Sequence, residues 1–318
     1  PAHLTGGTVA IGNFDGVHRG HQAVLGAALK GPRPVVAMTF EPHPRAFFKG
    51  APIFRLTPPQ EKAELIKALG LDGVVVTRFD AALAGLTADA FIDDILRGAL
   101  NVKHVAVGHD FKFGSKRSGN AARLSAAGGF SVDVVDAFDD GSLDPADTPD
   151  LSPLDTDPAV VSSSRIRAYL GEGNVADAAR LLGYRYQVVA PVVHGEKRGR
   201  TIGFPTANQA LDPTNRLRHG VYAVRMRIND VWCGGVANFG RRPTFDNGAP
   251  LLETHVFGFS GDLYGTLPPV TLVSFIRAES KFDGIDALMA QITADSEAAR
   301  LALAGIEPLT PLDAAVNF

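Results

Sequence analysis

Residues 8–22 read TVAIGNFDGVHRGHQ, and the fold turns on how this stretch is read. Residues 8–11 are a short, β-branched apolar run, the pattern of a strand buried on both faces of a parallel sheet, and a helical pattern follows the loop. Between the two lie Gly12, Asn13, Asp15, Gly16, His18, Gly20 and His21, at the strand-to-helix turn where α/β sheets bind ligands. Glycine lets backbone approach a phosphate closely, and a helix N-terminus offers free N–H groups. Histidines three residues apart can point the same way at an anion. The composition suits a triphosphate cradle without a lysine. Two plainer readings stand beside it: surface or capping histidines, and a zinc pair, which is disfavoured because no cysteine or close third ligand accompanies it.

Outward from this loop, short apolar runs recur at 35–40, 74–77, 105–107 and 132–135, with helical spacing at 59–69 and 87–100. Thr87 reads as an N-cap, with Asp89 in an acidic first turn. Alternating strand and helix predicts a doubly wound parallel sheet. Residues 139–158, DDGSLDPADTPDLSPLDTDP, carry no Lys or Arg and read as a solvated, mobile insertion that lies away from any nucleotide because its charge would repel one. Helical pattern returns at 162–170 and 175–182, and a domain boundary is expected near Tyr186, dividing the chain into 1–186 and 187–318. Beyond it, β-type runs at 188–193, 221–228, 231–238, 251–257 and 270–275 are separated by Gly, Pro, Asn and Asp, the texture of an antiparallel barrel. Asn229-Asp230 reads as a tight hairpin turn, and Ile285, Leu288, Met289, Ile292 and Leu301 as a C-terminal helix covering one side or end of the barrel.

A length of 318 residues accommodates two domains, and 45% hydrophobic with 20% charged residues is globular composition. A net charge of −3 and a pI near 6.3 give no global attraction for nucleic acid or an anionic membrane, so phosphates must be met by local loops. One cysteine, Cys233, excludes an intramolecular disulfide and a thiolate zinc cluster, and no apolar run is long enough to span a membrane. A cytoplasmic location is the expectation. The chain begins at Pro1, so an initiator Met is expected upstream.

Two further loops join the histidine turn. GHDFKFG at 108–114 follows a strand end, and SSSRIR at 162–167 opens a helix whose serines read as N-cap hydroxyls. The pair Arg165 and Arg167 at a positive helix end is electrostatically unfavourable unless an anion is present, and Arg167 sits one turn in, within reach of a phosphate. Together these motifs resemble the adenylyltransferase half of bacterial bifunctional riboflavin kinase/FAD synthetases. The resemblance implies that His18 and His21 contact the ATP phosphates, with Gly12, Asn13, Asp15 and Gly20 shaping the loop and Arg167 taking part in catalysis. It also implies that Asp110, Ser163, Ser164 and Arg167 complete the nucleotide and flavin-phosphate pocket. TFEPHPR at 39–45 resembles the segment near the flavin site, which makes Glu41, Pro42 and His43 weaker candidates.

In the second half, HGEKRGRTIGFPTANQ at 194–209 is basic and glycine-bearing, and no Gly-Lys-Ser/Thr sequence occurs anywhere, which excludes a Walker A loop. Thr206 and Asn208 offer hard oxygen ligands to Mg²⁺, although residues 205–208 taken alone read as a turn. With residues 220–222, NFGRRPTF at 238–245 and LETHVFGFSGDLYG at 252–265, the segment resembles the riboflavin kinase module of the same enzymes, in the same order along nearly the whole chain. That likeness implies that Lys197, Gly199, Arg200 and Gly203 line the nucleotide, that Thr206 and Asn208 hold Mg²⁺ and phosphate, and that Glu253 is the general base. On its own, a Glu between Leu252 and Thr254 reads by default as an exposed strand carboxylate. Gly258 stands where many relatives carry an acidic residue.

The reading is therefore an α/β nucleotidyltransferase domain followed by a β-barrel kinase domain, using ATP and Mg²⁺ to convert riboflavin to FMN and FMN to FAD. Its partners are small molecules rather than nucleic acid or membrane; a homo-oligomer is one of the assemblies left open. Two rivals are a nucleotidyltransferase for another phosphorylated substrate, against which the barrel half argues, and a non-catalytic flavin or nucleotide sensor.

Overall fold

The computed structural model describes residues 2–139, 160–195, 203–241 and 249–318. Among these, residues up to 139 together with 160–163 form one compact unit, and the residues from Ser164 onward form a second. Most of the acidic stretch lies outside the described residues, as do Lys197, Gly199 and Arg200.

The first unit is built on a five-stranded parallel sheet of β1 (Thr8–Ile11), β2 (Val35–Glu41), β3 (Gly73–Arg78), β4 (His104–Gly108) and β7 (Ser131–Val135), ordered β3-β2-β1-β4-β7. The short strands β5 (Lys112–Phe113) and β6 (Gly119–Asn120) form a separate hairpin. The central β1 is buried throughout and β2 up to Phe40, as their apolar runs require, while the edge strands leave Val76 and Val134 exposed. Thr8 lies opposite both Val35 and His104, so the strand order reverses between β1 and β4, and the crevice beyond their C-terminal ends is the switch point of the sheet. Helices α1 (Arg19–Ala28), α2 (Pro44–Lys49) and α3 (Pro59–Ala68) follow β1 and β2. Beyond β3 and the short α4 (Ala81–Gly85), Thr87 caps the expected helix, its hydroxyl accepting from the Ala90 N–H at 3.1 Å. That helix starts as α5 (Ala88–Ala90) and continues through Phe91–Ala99 in a wider π-type winding, which buries Phe91, Ile92 and Leu96 against the sheet. Helix α6 (Ala121–Ala127) precedes β7.

Helix α7 (Ser163–Glu172) begins on the last residue of the first unit; its remainder and α8 (Val175–Leu182) belong to the second. There, seven antiparallel strands, β8 (Gln187–Val189), β9 (Val192–Val193), β10 (Ala207–Ala210), β11 (Gly220–Ile228), β12 (Val231–Arg241), β13 (Pro250–Val256) and β14 (Pro269–Arg277), run in the order β8-β14-β11-β12-β13-β10-β9. The two edge strands are consecutive in the chain, joined only by Ala190 and Pro191. A link that short spans about 10 Å, so the sheet must curl round upon itself. Gln209 straddles this seam, donating to the Ala190 carbonyl at 2.8 Å and the Pro268 carbonyl at 2.9 Å.

Tyr222, Val224 and Met226 of β11 alternate with Val221 and Ala223, and all five are buried, because the curled interior covers one face and helix α9 (Ile285–Leu303) the other, through Ala299 and Leu303. Asn229 and Asp230 both take left-handed conformations, φ 48° and 63°, as a two-residue hairpin turn demands. Two expectations change. The run at 188–193 is split at Pro191, which cannot donate to a ladder, and residues 207–210 form a strand instead of a turn, because β9 and β13 pair with them on either side. A last helix, α10 (Pro311–Asn317), had no sequence forecast; Asp313 and Asn317 anchor it against Arg185 and Gln187.

Candidate active sites

At the switch point, His18 is the N-cap of α1: its Nδ1 accepts the His21 N–H at 3.3 Å, which places the ring proton of the neutral tautomer on Nε2. The His18 and His21 rings stack at 3.6 Å, and His21 meets the Phe14 ring edge-on at 5.3 Å. His21 Nδ1 is buried and has no hydrogen-bond partner among the described residues. Burial, and then the fields of His18, Lys62 and His43, hold the His21 pKa well below the ordinary histidine value, so the ring is neutral at pH 7 in the free protein.

The rest of the loop is fixed from beneath. Asp15 is buried, and its Oδ1 accepts the Leu56 and Thr57 N–H groups at 2.9 and 3.1 Å; the Thr57 hydroxyl in turn accepts the Gly16 N–H at 2.9 Å. Asp15 therefore holds the loop's shape instead of facing the crevice. The Asn13 carbonyl accepts from the Thr39 hydroxyl and from the Lys62 ammonium, both at 3.0 Å. A Cβ on Gly12 would press on the Phe14 ring at 3.0 Å, and one on Gly20 on the His18 ring at 3.3 Å. Sequence reasoning missed Lys62. The signal was available, since it is a lysine on the buried Lys62, Leu65, Ile66 stripe of α3.

Asp110 is exposed in the turn that follows the C-terminal end of β4. Ser163 Oγ donates to the Asp15 carbonyl at 2.8 Å, joining the start of α7 to the histidine loop within the first unit. Ser164 and Arg167 follow on α7 in the second unit. Arg165, paired with Arg167 in the sequence reading, is buried, its guanidinium 5.7 Å from the centre of the Tyr169 ring. Glu41 ends β2 and pairs with Arg55 at 2.6 Å and Lys62 at 3.3 Å; after Pro42, His43 caps α2, its Nδ1 accepting from the Arg45 N–H at 3.1 Å. Alongside, Phe79 is flanked by the rings of Phe40, Phe47 and Phe48, and Phe48 is 71% exposed.

In the second unit, Asn208 lies directly opposite Glu253, and Glu253 opposite Asn238, so the three side chains share one face of β10, β13 and β12. On the other face, Gln209, Leu252 and Thr254 are fully buried. Thr206 is exposed just before β10, its Oγ1 3.5 Å from Asn208 Oδ1. The backbone of Gly195 passes directly over Asn208: a Cβ there would fall 1.9 Å from Asn208 Nδ2. Gly203 turns the chain at φ 87° ahead of Phe204 and Pro205. His255, on the Glu253 face two residues along β13, hydrogen-bonds the Pro205 carbonyl through Nδ1 at 2.9 Å and meets the Phe204 ring at 5.4 Å. It holds the turn that presents Thr206, a function not visible in sequence because the partner is a backbone oxygen 50 residues away.

A parallel sheet with an anion-ready loop at its switch point, followed by a curled sheet with a row of hard oxygen donors, defines a two-site enzyme that works on nucleotides. Residues 1–145 match the family model for FAD synthetase, and residues 182–303 that for riboflavin kinase. A bifunctional riboflavin kinase/FMN adenylyltransferase from Haemophilus influenzae is 40% identical over 308 residues, 93% of this chain and 94% of its own. Its namesake from Listeria monocytogenes is 37% identical over 310 residues, 94% and 93% of the two chains. The chain belongs to the bifunctional riboflavin kinase/FMN adenylyltransferase family, with its FAD synthetase part first and its riboflavin kinase part second. A crystal structure described as a macrolide-efflux protein from Streptococcus pneumoniae is 31% identical and superposes with a TM-score of 0.78 over 93% of this chain and 94% of that one. Among the described residues, no helix is long and apolar enough to cross a membrane.

Proposed function

We propose that the C-terminal sheet transfers the γ-phosphoryl group of ATP to the ribityl 5′-hydroxyl of riboflavin, and that the N-terminal domain transfers AMP from a second ATP to the resulting FMN, releasing pyrophosphate. In the kinase step Glu253 accepts the hydroxyl proton while Asn208 and Thr206 orient the phosphates; nucleotide binding is assigned to Gly203 and, outside the described residues, to Lys197, Gly199 and Arg200. The observation that carries this is the facing pair of Asn208 and Glu253 with the Thr206 hydroxyl alongside. Two neutral oxygens 3.5 Å apart suit Mg²⁺, which keeps waters and phosphate oxygens in its shell and seldom uses an all-protein cage. When bound there, Mg²⁺ neutralises charge on the transferring phosphate.

In the adenylyl step His18 and His21 donate to the phosphates, a preorganised arrangement for charge developing at the α-phosphorus, and Asn13, Gly12, Gly20 and Asp15 keep the loop in shape. Asp110, Ser163, Ser164 and Arg167 are assigned to the nucleotide and flavin phosphate, and the apolar rings of Phe48 and Phe79, beside Glu41 and His43, to the isoalloxazine. The division of labour falls near Tyr186. The enzyme works in the cytoplasm on small molecules, without nucleic acid or membrane partners. Incubation with riboflavin and MgATP tests the reading: FMN appears first and FAD after it, whereas a ligand sensor would return riboflavin unchanged.

A further inference from the structure

Lys62 is buried beneath the histidine loop, with 4% of its side chain exposed. Its ammonium donates to the Asn13 carbonyl at 3.0 Å, the Thr39 hydroxyl at 3.2 Å and the Glu41 carboxylate at 3.3 Å. Three N–H donors thus meet three protein acceptors, and none is left for a substrate. Burial draws the ammonium's pKa down, while Glu41 and Asp15 pull it back up. The same Asn13 carbonyl takes a second hydrogen bond from Thr39 Oγ1, at 3.0 Å.

A trans peptide sets its carbonyl and the next N–H on opposite sides, and the Asn13–Phe14 bond is trans. With the Asn13 oxygen fixed toward α3 and β2, the Phe14 N–H is turned the other way, and no acceptor among the described residues takes it. Phe14 and Val17 on either side of Asp15 and Gly16 are held at φ 48° and 39°, left-handed conformations that a side chain disfavours and that a free loop would abandon. The turn therefore needs external clamps: Leu56 and Thr57 hold it at Asp15 and Gly16, and Lys62 with Thr39 holds its leading end at the Asn13 carbonyl.

We infer that Lys62 is a positioning residue for adenylyl transfer: by clamping the Asn13 carbonyl it aims the Phe14 N–H, and the strained turn bearing His18 and His21, at the transferring phosphates without touching them. This rests on the histidine loop holding the triphosphate.

The test uses the full chain with MgATP, measuring FAD formation from FMN and FMN formation from riboflavin separately, with folded sites counted as the fraction of chains whose first unit resists limited proteolysis. Lys62→Met lowers kcat for FAD formation per folded site about 10²-fold, the scale of an ångström of misplacement, while KM for FMN and the kinase rate stay within twofold. Thr39→Val removes the lesser clamp and lowers kcat about tenfold, and the double variant loses little more than Lys62→Met because both act on one carbonyl. A merely structural lysine would reduce the number of folded sites and leave kcat per site intact, which overturns the proposal. If Lys62→Met does not fold, Thr39→Val decides, and an unchanged kcat there overturns it. His21→Ala separates the two claims. Full activity in that variant refutes the histidine reading itself, whereas an inactive His21→Ala beside a fully active Lys62→Met refutes only the clamp.

Discussion

A single methyl group at Gly195 should silence one activity and spare the other. The Cβ of Gly195→Ala would fall 1.9 Å from Asn208 Nδ2 and 2.9 Å from its Cγ, against an ordinary separation of about 3.5 Å. The amide must therefore retreat by roughly 1.5 Å, a figure set by those same contacts. The clashing atoms end a side chain instead of belonging to backbone, so rotation relieves the overlap and the fold persists. Asn208, however, is 6% exposed and paired across the ladder with Glu253, so an amide that retreats from Gly195 carries its oxygen out of the present arrangement, 3.5 Å from Thr206 Oγ1. Misplacing a catalytic group by an ångström costs about 10²-fold in rate. The expected outcome is a riboflavin kinase kcat reduced at least about 10²-fold, with FAD formation from supplied FMN within twofold of the parent. Separate assays of the two steps by flavin chromatography check it. Undiminished kinase turnover would refute the placement of Asn208 at the phosphates.

Three further expectations follow from the same geometry. His21 has its pKa held below that of the unfolded chain, so between the folded value and about 6.5 the unfolded state binds the extra proton; stability falls as pH drops through that window, by at most about 1.4 kcal/mol per pH unit. Urea unfolding from pH 5 to 8, followed by far-UV ellipticity, should show a slope that His21→Gln reduces. Asp313 is fully buried against Arg185 and also accepts the Leu309 N–H at 2.9 Å, so Asp313→Ala, which strands the guanidinium, should destabilise the second unit by about 3–5 kcal/mol in denaturant titrations. His255→Ala removes the hydrogen bond to Pro205 and should lower kinase kcat about tenfold, with His255→Asn recovering part of the loss and FAD formation unaffected in both.

The parts of the fold that were legible in sequence are those where one periodicity dominates. Thr8–Ile11 and Val175–Leu182 fall where the apolar pattern puts them, and Thr87 and Asn229-Asp230 do what their chemistry dictates at a cap and a turn. Residues 207–210 were not legible, because they are a strand only through the neighbours β9 and β13, contributed from either side along the chain. The same holds at the sites. The histidines could be picked out by composition and position, whereas Lys62, His255 and Gly195 act through a carbonyl, a turn and a close approach that exist only once distant segments meet. Arg165 shows the converse: a charge at a helix start reads as solvent-facing, and the structure buries it beside Tyr169.

The two-site account rests most directly on the ratio of FMN-forming to FAD-forming rates in His21→Ala and Glu253→Ala, each measured on the intact chain. Removing one electrostatic donor or base typically lowers a rate by about 10²–10³. The account predicts that His21→Ala accumulates FMN from riboflavin with almost no FAD, and that Glu253→Ala makes FAD from supplied FMN but no FMN from riboflavin. Parallel loss of both rates in either variant, with the fold intact, would contradict it.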